Sequence, residues 1–499
     1  MKTCLHPSPG SPRSGSLAVI VWAAWVCGSA GVVPAANHSS WENSVVIIEA
    51  NRKHYDYQQP WSASTESAQK SGLVVAGHRI LTTAESLNDL TLVRLQKKGR
   101  GPWYNGKLEW IDYHANLALI TTEDNHFWTG LQPVRLAGSV PLKHAAQIVR
   151  WRNGNLELRK AEINRLTLKR GKISSLDLPH LEIDSEINGA GWAEAIVVGS
   201  RVVGLMCAQD GNVGSAIPAP FIRSILESRS KQAYPGLGYF DFIWQKIANP
   251  AIPGFLKLPG EMRGVIVSSF VNQTARPSPL KAHDLILEID GFKIDSEGDY
   301  EDPIYGKLCL ENLASKQRWA GASVPMKIWR DGQLLEMQYP LAKADFAAQL
   351  VPEAVFDREP EFLMVGGLVF QPLTEPYLQS WGSDWRRKAP FRLAFYNQEE
   401  PAPERPALVF LSTILPDPCN LGYQDHRFLV LDKVNGQKVN RLPDLVTALQ
   451  KPSAGYHLFE FRSGETVRRL VLDAQQAKTA AQQIMQRYGL EKDRMLVER

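Results

Sequence analysis

The chain has 499 residues, with 56 Lys and Arg against 52 Asp and Glu, a formal net charge of +4, and 44% hydrophobic residues. That length predicts roughly three domains with enough apolar content for separate cores. The charge is small and the basic clusters Lys97–Arg100, Lys169–Lys172 and Arg386–Lys388 are short and scattered, which argues against nucleic acid as a partner; no phosphate-cradling glycine loop and no metal-ligand cysteine spacing is present, so neither cofactor nor metal is expected.

Residues 1–36 have the pattern of an export signal. Lys2 and Arg13 precede an apolar run from Leu17 to Val26, and small residues follow at Gly28–Ala30 and Pro34–Ala36. Cleavage there would release the chain to a periplasmic or secreted location; the competing reading is a retained anchor, for which the run is short of the ~20 residues of a span. Cys27 lacks a small residue before it, which argues against a lipid anchor. Cys4 and Cys27 would leave with the signal, and Cys207, Cys309 and Cys419 fall in three different predicted domains. No disulfide framework is expected, and the three read as small buried hydrophobes.

Residues 37–229 show many short strands with glycine and proline punctuation, the pattern of an all-β double barrel, closed by a short helix over Pro220–Ser228. Ser71–Val75 and Gly77–Glu85 read as two apolar strands joined by a glycine turn. Ile111–Ile120 contains Asn116 directly before Leu117-Ala118-Leu119, and Ile183–Glu194 ends a strand in a turn. These segments, with Gly199–Leu205 and Gly211–Pro218, resemble the trypsin-like serine proteases of the HtrA/Deg family, in particular its plant-type branch. The resemblance puts Glu85 where the family has its histidine and Asn116 where it has its aspartate. The turn is one residue short, so the nucleophile's place falls on Ala190, Gly191 or Trp192.

Acyl transfer needs a hydroxyl or thiol, a neighbouring base and a group that orients the base. None of these residues supplies a nucleophile, and single losses in such triads leave a residual of only about 10^3–10^4-fold over water. The shortened turn also carries the amides of the oxyanion hole, which weakens the case for a hole. Asp112, His114 and Asn116 alternate as on one strand face, which makes rescue through a shifted register conceivable. His78, Ser185 and Ser200 lie outside the site and read as surface or strand-end polarity. Glu85 with Glu194 is a conceivable carboxylate pair, against the simpler reading of solvated side chains. A seryl hydroxyl beside an imidazole in this groove would overturn the inactive assignment.

Residues 230–345 form a second unit, with Gly264–Ser268, Leu280–Gly291 and Val324–Gly332 as its markers. It resembles a Deg-type PDZ domain, with His283 in a slot where the family has glycine. The resemblance implies peptide capture by strand addition, with a peptide carboxylate at the loop Gly236, Leu237, Gly238 and Tyr239. The alternative is an edge covered by neighbouring domains.

Residues 346–475 carry a second PDZ-like pattern in Phe362–Leu373 and Leu429–Gly436, with a short helix over Asp444–Leu449 and a final hairpin from Leu458 to Val471. Glu399–Pro406 reads as a flexible insertion, and 476–499 as a helix and charged tail. The expected fold is therefore mainly β: a trypsin-like double β-barrel followed by two PDZ-like (α+β) domains. The expected function is that of an exported pseudoprotease binding extended or unfolded polypeptides or peptide C-termini, or scaffolding an active HtrA/Deg protease, as a homo-oligomer, with trimers implied by the resemblance. The alternatives are a serine-type endopeptidase in protein quality control with an unorthodox site, and a structural protein whose PDZ edges are plugged.

Overall fold

The computed structural model describes residues 41–271, 278–344 and 349–497, so the expected signal over 1–36 lies outside the described residues. The chain is mainly β, with two β-barrel units followed by two further sheet-built domains. The first barrel is built from β1 (Val45–Tyr55), β2 (Ala63–Val75), β3 (Arg79–Thr82), β4 (Leu90–Lys97), β5 (Trp103–Asn105), β6 (Lys107–Asp112) and β7 (Leu117–Thr121), in the order β5-β4-β1-β2-β3-β7-β6. The second closes on itself from β8 (His144–Arg152), β9 (Asn155–Arg170), β10 (Asp177–Ser185), β11 (Ala195–Val198), β12 (Arg201–Asp210) and β13 (Val213–Pro218).

Strand alternation sorts the side chains into two cores. Val46, Ile48, Val74, Ile80 and Ile120 fill the first barrel, whereas their neighbours Val45, Leu73, Leu81 and Leu119 turn the other way and meet Val149, Ala195, Val197 and Leu205 of the second. The neighbours of Glu85 and Asn116, Leu81, Ala115 and Leu117, lie along this seam. The helix Ala219–Ser230 covers it with Phe221, Ile222 and Ile225.

The second domain contains β14 (Gly238–Tyr239), β15 (Phe242–Lys246), β16 (Val265–Phe270) and β17 (Leu285–Ile289), with β15-β16-β17 continuing into Ser323–Arg330 and Gln333–Pro340. His283 takes φ +73°, so the slot demands a left-handed backbone and a non-glycine residue meets that demand at some strain.

The third domain's sheet runs through Arg469–Asp473, Tyr456–Phe461, Leu429–Val434, Val409–Ile414, Leu368–Pro372, Phe362–Val365 and Arg494–Met495. The helix Ala474–Tyr488 buries Ala477, Ala480 and Ile484. Arg494–Met495 then pairs with Phe362–Leu363 as a further strand. The helix anticipated at Asp444 begins at Leu442, led by a proline in its first turn. Three short helices, Glu375–Gln379, Trp385–Lys388 and Phe391–Tyr396, were not anticipated. At four to six residues each they are too short to show a 3.6-residue period, and burial of Tyr377, Trp385 and Leu393 against Phe410 and Val430 holds them.

The long β1–β2 hairpin connects barrel and third domain. Trp61 meets Phe362 edge-on at 5.9 Å, Gln371 donates to the Tyr57 carbonyl at 3.1 Å, and Gln58 bonds Ser380. The linker before Phe362 crosses the barrel, where Phe356 stacks on Tyr113 at 4.0 Å and Asp357 accepts from the Tyr113 hydroxyl and the Asp89 amide.

Candidate functional site: the barrel seam and an interdomain cavity

Glu85 sits in the loop after β3, and Asn116 ends the turn between β6 and β7. The structure brings the two together, because the Asn116 Oδ1 accepts the Glu85 amide at 3.0 Å. The Glu85 carboxylate turns to the second barrel, where Oε1 lies 3.1 Å from Lys172 Nζ, and its buried Oε2 accepts no hydrogen bond. Glu85 thus reaches across the seam to the second barrel, and Asn116 holds its backbone within the first.

The alternation expected for Asp112, His114 and Asn116 does not hold. Strand β6 ends at Asp112, whose carboxylate caps the turn through the Ala115 amide at 2.9 Å and accepts the Tyr234 hydroxyl at 2.6 Å. Asn116 takes φ +52°, a left-handed conformation that no strand continues through. No shifted register therefore aligns the aspartate behind the histidine. His78 stacks on Trp128 at 5.0 Å, and the Ser185 hydroxyl bonds the backbone of Ile187.

The turn that would hold the nucleophile is occupied by its own protein. The Gly191 and Trp192 amides both donate to Glu194 Oε2, at 2.9 and 2.8 Å, and the Ala190 amide donates to Gln209 Oε1 at 2.6 Å. Anion stabilisation by such a turn depends on amides free to meet a developing oxyanion. Here a resident carboxylate sits on them. Burial pushes the Glu194 carboxyl above its ordinary range, and the amides of Glu194, Gly191 and Trp192 pull it back. Gly191 takes φ +110°, and a Cβ there would stand 3.0 Å from the Ala208 backbone. Glu194 therefore does not pair with Glu85 as a solvated carboxylate; each has a different partner.

Three groups complete the surroundings, of which the sequence marked only Cys207, as a small buried hydrophobe. Lys70 is buried on β2 and donates to the carbonyls of Thr83 and Glu85, each at 2.6 Å. Burial lowers its ammonium to about 7, against the pull of Glu85 and then Glu194. Its place on the same strand face as Gly72 and Val74 was the signal available. Cys207 is buried, donates to the Ser215 carbonyl at 3.3 Å, and is pushed up to about 12 chiefly by burial and then by Glu85. It is a thiol at neutral pH and not a nucleophile. The other two cysteines are half-buried, and all three are free.

The third is Ser174. Its Oγ lies 3.2 Å from His114 Nδ1, a hydroxyl beside an imidazole at the edge of the groove, which is the arrangement expected to overturn the inactive assignment, although it stands outside the turn Gly189–Glu194 where the nucleophile was placed. The same Oγ accepts the Leu176 amide at 3.2 Å, and His114 lies edge-on to Phe356 of the linker. The two line a void of about 60 Å³ together with Asn116, Lys172 and Cys207. This volume is on the scale of a water or two, well short of a substrate pocket.

The expected carboxylate loop is drawn into its own domain. Gly238–Tyr239 pairs antiparallel with Ala342–Lys343, Leu237 is 1% exposed, and the Gly236 and Leu237 carbonyls accept from Ala320 and Ala344. Beside it opens a cavity of about 510 Å³, walled by β9 and β10 of the barrel, by Gly238–Phe240 and Ile243, and by the segment Asn397–Pro401 of the third domain. The stretch expected to be a flexible insertion is thus a cavity wall. It is fixed by a turn between Ala402 and Arg405 and by an Arg405–Asp432 ion pair.

Residues 351–495 match the PDZ domain family model. The mitochondrial Do-like 11 protein of Arabidopsis thaliana is 28% identical over 458 residues, covering 90% of this chain and 74% of that one. The chloroplastic protease Do-like 2 of the same plant is 25% identical over 477 residues, 92% of this chain and 76% of that one. Among solved structures, an HtrA-type protease with a decapeptide is similar with a TM-score of 0.48 and 15% identity, over 61% of this chain and 96% of that one.

Proposed function

We propose that this relative of the plant Do-like HtrA/Deg proteases is a pseudoprotease, which holds extended or unfolded polypeptide, or scaffolds an active relative, without cutting it. The observation that carries this reading is the turn Gly189–Glu194. It has no hydroxyl or thiol, and its Gly191 and Trp192 amides are already bonded to Glu194. Binding does not need the lost groups, since strand edges and side-chain pockets act without a nucleophile. Assembly into trimers or larger homo-oligomers belongs to the same proposal. So does an exported or organellar address for residues 1–36; the relatives' names say mitochondrial and chloroplastic.

A second reading, an endopeptidase with an unorthodox site, is favoured by one observation, the Ser174–His114 pair. One experiment separates them. The full-length chain is incubated with a fluorophosphonate probe and with fluorescent casein, and its suppression of aggregation of a reduced client is followed in parallel. The pseudoprotease reading expects suppression with neither labelling nor cleavage. It also expects no gain of activity in Gly191→Ser, because the left-handed turn and the Ala208 backbone leave no room for a productive hydroxyl. Labelling that disappears in Ser174→Ala would sink it and establish the second reading.

A further inference from the structure

The segment 384–396 carries Arg386, Arg387, Lys388 and Arg392 against one carboxylate, Asp384. It folds as the short helices Trp385–Lys388 and Phe391–Tyr396, and its inner side is fixed, because Trp385, Ala389, Leu393 and Tyr396 are buried in one apolar cluster of the third domain. Its outer side is not simply polar. Phe391 is 82% exposed and Phe395 47%, four residues apart on one helix face, with ring centroids 6.1 Å apart. Cations flank the rings in the chain. The Arg386 guanidinium lies over the Trp385 ring at 4.4 Å, and neither it nor Lys388 has a carboxylate within ion-pair reach among the described residues. Arg387 pairs with Asp384 at 3.1 Å and Arg392 with Glu465 at 3.6 Å, yet both arginine side chains remain exposed. The next carboxylates in the chain, Glu399 and Glu400, line the interdomain cavity instead.

From this juxtaposition we infer that segment 384–396 docks the protein on an anionic lipid membrane, with Phe391 and Phe395 entering the interface and Arg386, Arg387, Lys388 and Arg392 against the lipid phosphates. Three physical points carry it. Two phenyl rings held in water on a rigid base are unfavourable there, and the boundary between headgroups and acyl chains removes that cost; helical surfaces that combine aromatic and basic residues are stable at this depth. An anionic leaflet spreads its charge over a plane, so exposed cations whose existing pairs are already screened gain partners without breaking a buried one. The shape of the patch separates a membrane from a protein partner. A ring 82% exposed stands out from the surface rather than lining a groove, and a fluid interface closes around it, whereas a protein would need a matching pocket and far more contact area than two rings supply. Docking of this kind needs neither a nucleophile nor an open peptide groove.

The test is co-sedimentation of the full-length chain with vesicles of phosphatidylcholine alone and of phosphatidylcholine with about 30% phosphatidylserine. The chain is expected to partition about tenfold more tightly onto the mixed vesicles, and less so as salt is raised. Phe391→Ser with Phe395→Ser, and separately Arg386→Gln with Lys388→Gln, change exposed groups and should each weaken this partition about tenfold with unfolding midpoints unchanged. All these chains keep the apolar run from Leu17 to Val26, so the differences between them report the patch and not the amino-terminal segment. Hydrogen exchange localises the contact: mixed vesicles should slow it at 385–396 and leave it unchanged at 251–255, where Phe255 is equally exposed. Equal partition onto both kinds of vesicle, wild-type partition in both double variants, or unchanged exchange at 385–396 overturns the inference. Protection of 385–396 by a polyglutamate peptide as strong as that by the vesicles also overturns it, and assigns the patch to an acidic polypeptide.

Discussion

Lys70 shows what burial does to one side chain beside Glu85. Its ammonium is held against two carbonyls at the seam, and burial lowers its pKa to about 7 from an ordinary 10.5. Below about pH 7 both folded and unfolded chains carry the proton, so the full cost of burying the charge is present. Between about 7 and 10.5 the unfolded chain binds the proton and the folded chain does not, so stability rises with pH, by at most ~1.4 kcal/mol per unit. Thermal midpoints at pH 7, 8 and 9 should therefore climb more steeply in the wild type than in Lys70→Met. Parallel slopes would show that Lys70 keeps its charge when folded. The identity of this residue was plain in the sequence, but its role was not. Only its bonds to the Thr83 and Glu85 carbonyls of one loop, with Asn116 on the Glu85 amide from another, make it the centre of the site.

Among the elements, the turn from Gly366 to Gly367 and the short 3-10 helix Pro418–Asn420 depend on each other. Gly367 takes φ +82°, and a Cβ there would come within 2.3 Å of the Leu415 carbonyl and 2.4 Å of Asn420 Nδ2. Asn420, fully buried, donates to the Gly366 and Leu415 carbonyls at 2.8 and 2.9 Å and accepts the Asp417 amide at 3.1 Å. Removing it in Asn420→Ala leaves these groups unpaired, at a cost of roughly 2–4 kcal/mol. The unfolding transition of the third domain should fall by several degrees. A midpoint within a degree of wild type would mean that water replaces the amide. The strands on either side were readable from their period, whereas the helices at 375–396 were not, because aromatic burial rather than local pattern makes them.

At the scale of the whole molecule, the linker 349–361 is the link between the cavity and the cleft. Gln349, Val351 and Glu353 line the cavity. Phe356 and Asp357 then clamp Tyr113 and the Asp89 amide, and Glu359 pairs with Lys53 and Lys492. One stacked ring pair contributes on the order of 0.5–1.5 kcal/mol beyond its buried area. The double variant Phe356→Ala with Asp357→Ala should raise hydrogen exchange at 85–89, 113–116 and 353–359 and leave the third domain's central strands protected. Unchanged exchange at 113–116 would show that the linker adds nothing to the order of the cleft.

The sequence by itself determined the architecture, since alternating apolar strands, glycine turns and the segments around Glu85, Asn116 and Gly191 are local patterns. It also determined that the turn has no nucleophile, which is a matter of residue type. Tertiary structure alone decided what these positions meet: Glu194 and Gln209 seated on the turn's amides, Lys172 on Glu85, and Ser174 beside His114. It alone decided that Glu399 and Glu400, far from β15 in the chain, face it across a cavity. Periodicity records which face of an element is buried, but not which distant carboxylate or amide will meet it, because those encounters are fixed by the packing of whole domains.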